Sequence, residues 1–114
     1  MRDHTKLRAF ELAEEVALLV YRETRAFPAD ERFGLVSQMR RAAVSVGSNI
    51  VEGCARKSHD DYVRFLCIAH GSAREFEFQT GLSMKLGFPI PQTLMGKCVE
   101  LSKVLNGLIA SLSA

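Results

Sequence analysis

Apolar residues return every three or four positions along most of the chain, the period of an α-helix that packs on one face. Leu7, Phe10, Ala13, Ala17, Val20 and Tyr21 trace this period first and predict a helix over residues 5–26. Pro28 stops it, because proline disfavours the helical conformation at the residue before it. A second helix is expected over 30–57, with a break near Gly34. Its core face is Leu35, Met39, Ala42, Ala43, Val46 and Ile50. Ser58 is placed to cap a third helix running to about Leu86, with Asp60 and Asp61 favourable at its positive end. Tyr62, Phe65, Leu66, Ala69, Ala73 and Phe76 form that helix's inward face. "GFPIP" ends it, and a fourth helix starting near Pro91 carries Leu94, Cys98, Leu101, Leu105, Leu108 and Leu112. No segment alternates as a half-buried strand would. The fold class is therefore all-α. Short connections make successive helices antiparallel, which gives one up-down-up-down four-helix bundle over residues 1–114.

The second helix also carries polar residues at the helical period. Gln38, Arg41, Ser45, Asn49 and Glu52 share a sector about 80° wide beside the core face. Ser72, Glu75 and Gln79 hold the equivalent flank of the third helix. A hairpin turning near Ser58 opposes residues whose numbers sum to about 116. That register pairs Arg41 with Glu75, Ser45 with Ser72 and Gln38 with Gln79, a structural seam that fixes how the helices meet. Asn49 and Glu52 are left without partners by the same register. A buried ion pair in the seam would cost about 3–5 kcal/mol to break by removing one partner. Gly47, Gly53 and Gly71 are expected where helix backbones approach closely.

Some apolar residues point away from any single core. Val44 and Val51 on the second helix, and Phe78 and Leu82 on the third, lie about opposite the inward faces. Met95 and Ile109 widen the seam of the fourth. Aligned apolar residues on several helices predict a contact surface between copies, either an isologous dimer or a closed ring.

Composition changes this picture little. The 114 residues carry a net charge of +2, and their mean hydropathy is near zero. Cys54, Cys67 and Cys98 lack any C-x-x-C spacing, so they read as buried thiols of a reducing compartment. "MRDHTKLRAF" has charge but no apolar core region, and no run is long enough to span a bilayer. A cytoplasmic protein without membrane attachment is expected. Clustered metal ligands, phosphate loops and nucleophile elbows are missing, so neither a metal nor a cofactor nor a catalytic residue is assigned. Arg56, Lys57, Arg64 and Arg40 can join as a basic side that holds RNA or DNA. A ring would multiply such a patch. The enzymatic alternative is a ribonuclease of the HEPN type, also a helical bundle, with Arg64 holding phosphate and His70 moving the proton. A scaffold binding only proteins is the third reading.

The stretch "FPADERFGLVSQMRRAAVSVGSNIVEGCARKS", followed by "YVRFLCIAHGSAREFE", resembles a known family. Its members are four-helix-bundle proteins encoded within intervening sequences of large-subunit ribosomal RNA genes. Related proteins are the accessory variability determinants of diversity-generating retroelements. The resemblance covers nearly the whole chain, including "VYRET". It rests on Phe27-Pro28, Glu31, Gly34-Leu35, Gln38, Arg40-Arg41-Ala42, Ser45, Ser48-Asn49-Ile50, Glu52-Gly53, Arg56, Ala69, Gly71-Ser72 and Glu75. It implies an antiparallel bundle assembled as a homopentameric, barrel-like ring with a basic surface and no established enzymatic activity. In the retroelement branch it implies binding to nucleic acid and to a reverse transcriptase. Gly47 departs from a common proline, Phe10 from a frequent tryptophan and Cys54 from a larger residue.

Overall fold

Local chemistry explains where each helix begins and ends. A computed structural model describes residues 2–113, and the helices are α1 (Arg8–Glu23), α2 (Leu35–Cys54), α3 (His59–Lys85) and α4 (Gln92–Ser113). The described residues contain no strand, so the chain is all-α. Before α1 comes a 3-10 turn, His4–Lys6, capped by Asp3, whose carboxylate accepts from the Thr5 amide at 3.0 Å. Extended backbone at Leu7 then separates this turn from α1. After α1 a second 3-10 turn, Thr24–Ala26, leads to Phe27, which is extended before Pro28 as the steric rule requires.

The second helix starts five residues later than its apolar pattern predicts. Residues Ala29–Glu31 form a 3-10 turn, and α2 begins only after Gly34, whose ψ of −114° is not helical. The Glu31 carboxylate accepts from the Leu35 amide at 3.2 Å and so satisfies an otherwise free donor at the helix start. A side chain at position 34 would meet that carboxylate at 2.9 Å. The break foreseen near Gly34 is therefore a real boundary. Ser58 caps α3 through the Asp61 amide at 3.1 Å. The end of α3 is a Schellman turn: Gly87 has φ +82°, its amide bonds Met84, and the Phe88 amide bonds Ser83.

Each helix packs on the next, and α1 and α4 close the circuit, with the α2–α3 interface the most extensive. Arg41–Glu75 and Ser45–Ser72 join α2 to α3, while Arg8–Glu100 and Glu15–Lys97 join α1 to α4. In each case numbers rise on one helix as they fall on its neighbour, compatible with up-down-up-down order. Leu12, Val16, Met39, Ile50, Leu66, Phe76, Leu94, Leu101 and Leu105 fill the interior. Phe27 and Phe88 close one pole, with ring centroids 5.2 Å apart. At the other pole Arg2 donates to the Arg56 carbonyl, and a His59 ring nitrogen hydrogen-bonds the Leu112 carbonyl, both at 2.9 Å.

Several expectations about the core need correction. In α1 the buried face runs through Ala9, Leu12, Ala13, Val16 and Val20, whereas Tyr21 is exposed. Cys67 is also exposed, because it lies on the outward side of α3, unlike Cys54 and Cys98. Of the three glycines expected at close approaches, only Gly53 has one. A methyl there would lie 2.9 Å from Phe65 Cβ, whereas at Gly71 it would meet nothing within 4 Å. At Gly47 it would only reach ordinary contact with Ala13. Ile109 and Met95 are half-buried rather than surplus; Met95 reaches to within 3.6 Å of where a Gly81 side chain would begin.

Candidate functional site

The seam between α2 and α3 forms largely in the predicted register. Arg41 donates to Glu75 at 3.0 Å, and the Ser45 and Ser72 hydroxyls lie 2.9 Å apart. Asn49, which the register left unexplained, turns back along its own helix. Its amide donates to the Ser45 carbonyl at 2.8 Å and to the Ser45 hydroxyl at 3.1 Å. Glu52 pairs with Arg56 one turn on, at 2.6 Å. The Gln38–Gln79 pair does not form. Gln38 is exposed, and Gln79 instead points its amide towards Glu75 at 3.5 Å, leaving its buried carbonyl oxygen without a partner among the described residues. The ion pair is also not the buried one that the sequence suggested. The Arg41 and Glu75 side chains retain 62% and 42% of their exposure, so water screens them and the pair stabilises by about 0–1 kcal/mol.

The four basic residues divide between the two poles. Arg56 and Arg64 flank Phe65, their guanidinium carbons 4.7 and 4.6 Å from its ring centroid, and Lys57 is exposed beside them. Carboxylates already reach both arginines: Glu52 at 2.6 Å and Asp61 at 3.5 Å. Arg40 does not join this group. It sits 16 residues earlier on α2, about 24 Å away at helical rise, and holds the Thr24 hydroxyl at 3.0 Å and the Tyr21 carbonyl at 3.3 Å. One straight helix cannot gather both ends into one patch.

Arg64 and His70 likewise face different surroundings. Arg64 borders a shallow groove with His59, Asp60 and Leu112, whereas His70 borders another with Arg74, Ser102 and Lys103. Six residues along a helix turn the two side chains about 120° apart. Among the described residues no group of three or more His, Cys, Asp or Glu is placed to hold a metal. No described helix is long and apolar enough to cross a membrane.

Val44, Val51, Phe78 and Leu82 are all exposed, yet they do not share one face. Arg40 and Gly47 turn one flank of α2 towards α1, and Ser45 turns the other towards α3. Val44 and Val51 lie on the α1 flank. Phe78 and Leu82 lie on the outward side of α3. Leu18, Phe33, Ile68 and Leu86 are further exposed apolar residues that the periodicity did not single out. Each occurs in a stretch dense in apolar residues or beside a turn, where spacing does not separate inside from outside.

A model of the family described as 23S rRNA-intervening sequence protein matches residues 5–107. No curated protein matches the chain. Among solved structures, the chain is similar to a protein of unknown function from the S23 ribosomal protein family of Bacteroides thetaiotaomicron VPI-5482. The TM-score is 0.80 at 22% identity, over 90% of this chain and 95% of that one. That likeness concerns the fold. The match over nearly all of the sequence shows the family, and this chain belongs to the 23S rRNA-intervening sequence proteins.

Proposed function

We propose that this chain is a non-catalytic antiparallel four-helix bundle of the cytoplasm that assembles with its own copies into a ring and binds nucleic acid. One observation carries the assembly: exposed apolar residues occupy two different sides, Val44 and Val51 on one and Phe78 and Leu82 on the other. An isologous dimer uses one patch twice. A ring needs two unlike patches on every copy, each meeting the other on its neighbour. The family resemblance favours five copies in that ring. Repetition around a ring then raises the phosphate affinity of a modest basic patch by multivalency. Arg56, Lys57 and Arg64 supply positive charge for RNA or DNA at one pole of each copy, and Arg40 supplies it at the other. A reverse transcriptase is the protein partner if the chain acts as retroelement relatives do.

Light scattering on the purified protein at micromolar concentration tests the assembly. A mass near five chains is expected, and Val44→Asp or Phe78→Asp alone should release monomers. A wild-type monomer at that concentration removes the ring. Retention of RNA or DNA at low salt, lost as salt rises, is the expected sign of phosphate contacts. RNA cleavage abolished by His70→Ala would replace this reading with the ribonuclease one.

A further inference from the structure

The corner where α1 ends and α2 begins has the strongest unassigned chemistry. Two shallow grooves, of about 300 and 380 Å³, adjoin there and share Arg32, Val36 and Arg40. Arg25 lines one and Arg41 the other, and among the described residues no carboxylate lines either. Arg41 is engaged by Glu75, but Arg25, Arg32 and Arg40 have no carboxylate within ion-pair distance among the described residues. Nearby Glu31 is turned into the start of α2, where it accepts from the Leu35 amide.

Two aromatic rings stand beside these cations. Phe33 is 87% exposed and Tyr21 44%. Each has a guanidinium over it: Arg32 lies 5.4 Å from the Phe33 centroid, and Arg40 lies 4.6 Å from that of Tyr21. Arg40 is held in place by its bonds to Thr24 and the Tyr21 carbonyl, which use only part of its donor fork. The Arg56–Lys57–Arg64 end contrasts with this corner. There the two arginines are ion-paired, and Asp60 borders the groove beside Arg64.

We infer that this corner binds single-stranded nucleic acid, with bases stacked on Phe33 and Tyr21 and phosphates held by Arg25, Arg32 and Arg40. The inference rests on the nucleic-acid reading above and gives it a site and a strand form. Unpaired cations attract the backbone, and exposed aromatic rings accept any base whose own face is free. A duplex buries those faces in its stack, so it can use only the arginines. A plain anion would use the arginines and leave the rings idle.

The test is fluorescence anisotropy with labelled oligo-dT and oligo-U of about twelve nucleotides and a duplex of equal length, across a salt series. Single strands should bind more tightly than the duplex. Phe33→Ala should weaken them by roughly 5- to 150-fold, the range for losing one stacked base. Arg32→Ala should reduce the slope of log affinity against log salt by about 0.7, one phosphate contact. Lys103→Ala, which removes a charge from the α3–α4 side, serves as the comparison. Equal or tighter duplex binding, or Phe33→Ala and Arg32→Ala behaving as Lys103→Ala does, overturns the corner while nucleic-acid binding stands. Failure to bind any of the three polymers removes both. If Phe33→Ala instead changes the mass by light scattering, the corner is a contact between copies and the inference is wrong.

Discussion

Ser45 on α2 and Ser72 on α3 meet hydroxyl to hydroxyl at 2.9 Å, and the Asn49 amide donates to the same Ser45 oxygen at 3.1 Å. This three-member chain leaves the Ser45 proton available to Ser72. It also ties a contact between helices to one within a helix. Ser72→Ala should cost about 1 kcal/mol, a typical net hydrogen bond. In a double-mutant cycle Ser45→Ala and Ser72→Ala should show a coupling of at least ~0.5 kcal/mol by urea denaturation. Additivity within error would mean that the hydroxyl contact contributes nothing to stability.

The neighbouring ion pair should matter less than its position in the seam suggests. Arg41 and Glu75 both stay well exposed to water, so Glu75→Gln should cost under about 1 kcal/mol, and salt should shrink even that. A loss of several kcal/mol in denaturant titration would contradict this.

Gly53 and Gly71 should respond oppositely to alanine. At Gly53 the new methyl would lie 2.9 Å from Phe65 Cβ and 3.3 Å from the Tyr62 carbonyl oxygen, both on or next to backbone that cannot swing aside. Separating α2 from α3 to admit it should cost roughly 1–3 kcal/mol. Gly71 is helical, exposed and unobstructed, so Gly71→Ala should add about 0.5–1 kcal/mol through helix propensity. Thermal melts of the two variants, shifted in opposite directions from wild type, provide the check.

The three thiols should separate by accessibility. Cys67 is exposed, whereas burial raises the Cys54 thiol above its ordinary value and pushes Cys98 up to about 12. Near pH 8 the native protein should alkylate rapidly at one position, Cys67, with the other two reacting only after unfolding. The Cys98 shift also sets a pH dependence. The folded form keeps a proton that the unfolded form releases near pH 9, so this contribution to stability is complete below about 9 and is lost as pH rises towards 12. Cys98→Ala should flatten that alkaline decline in denaturation midpoints.

The sequence disclosed the α2–α3 relationship well because one short turn at Ser58 sets the register of everything that follows on both helices. Arg41 with Glu75 and Ser45 with Ser72 are read directly from that constraint. Gln79 escaped it because a long side chain can serve its own helix as readily as its neighbour, and Gln38 is left in water. The inward face of α1 departs from its apolar spacing for a different reason. From Leu7 to Tyr21 apolar residues occur on almost every side, so Leu12 and Val16 compete with Phe10 and Tyr21 for the inward stripe, and only packing against α2 and α4 decides. The Arg-rich corner was invisible because its aromatics come from elements that spacing assigns to the inside. Tyr21 fitted the predicted core of α1, and Phe33 belongs to a turn that the pattern absorbed into α2.

The bonds from Arg2 to the Arg56 carbonyl and between His59 and the Leu112 carbonyl bring residues near both described ends to the four-residue turn between α2 and α3 and the first residue of α3. Ends held so close can be joined by a short flexible linker without bending any helix. Residues 2–113, taken as a unit, are therefore suited to circular permutation, with new termini opened in the surface segment around Pro89. Such a permutant keeps all four helices and every contact of the α2–α3 seam, while the order in which the helices leave the ribosome is rearranged.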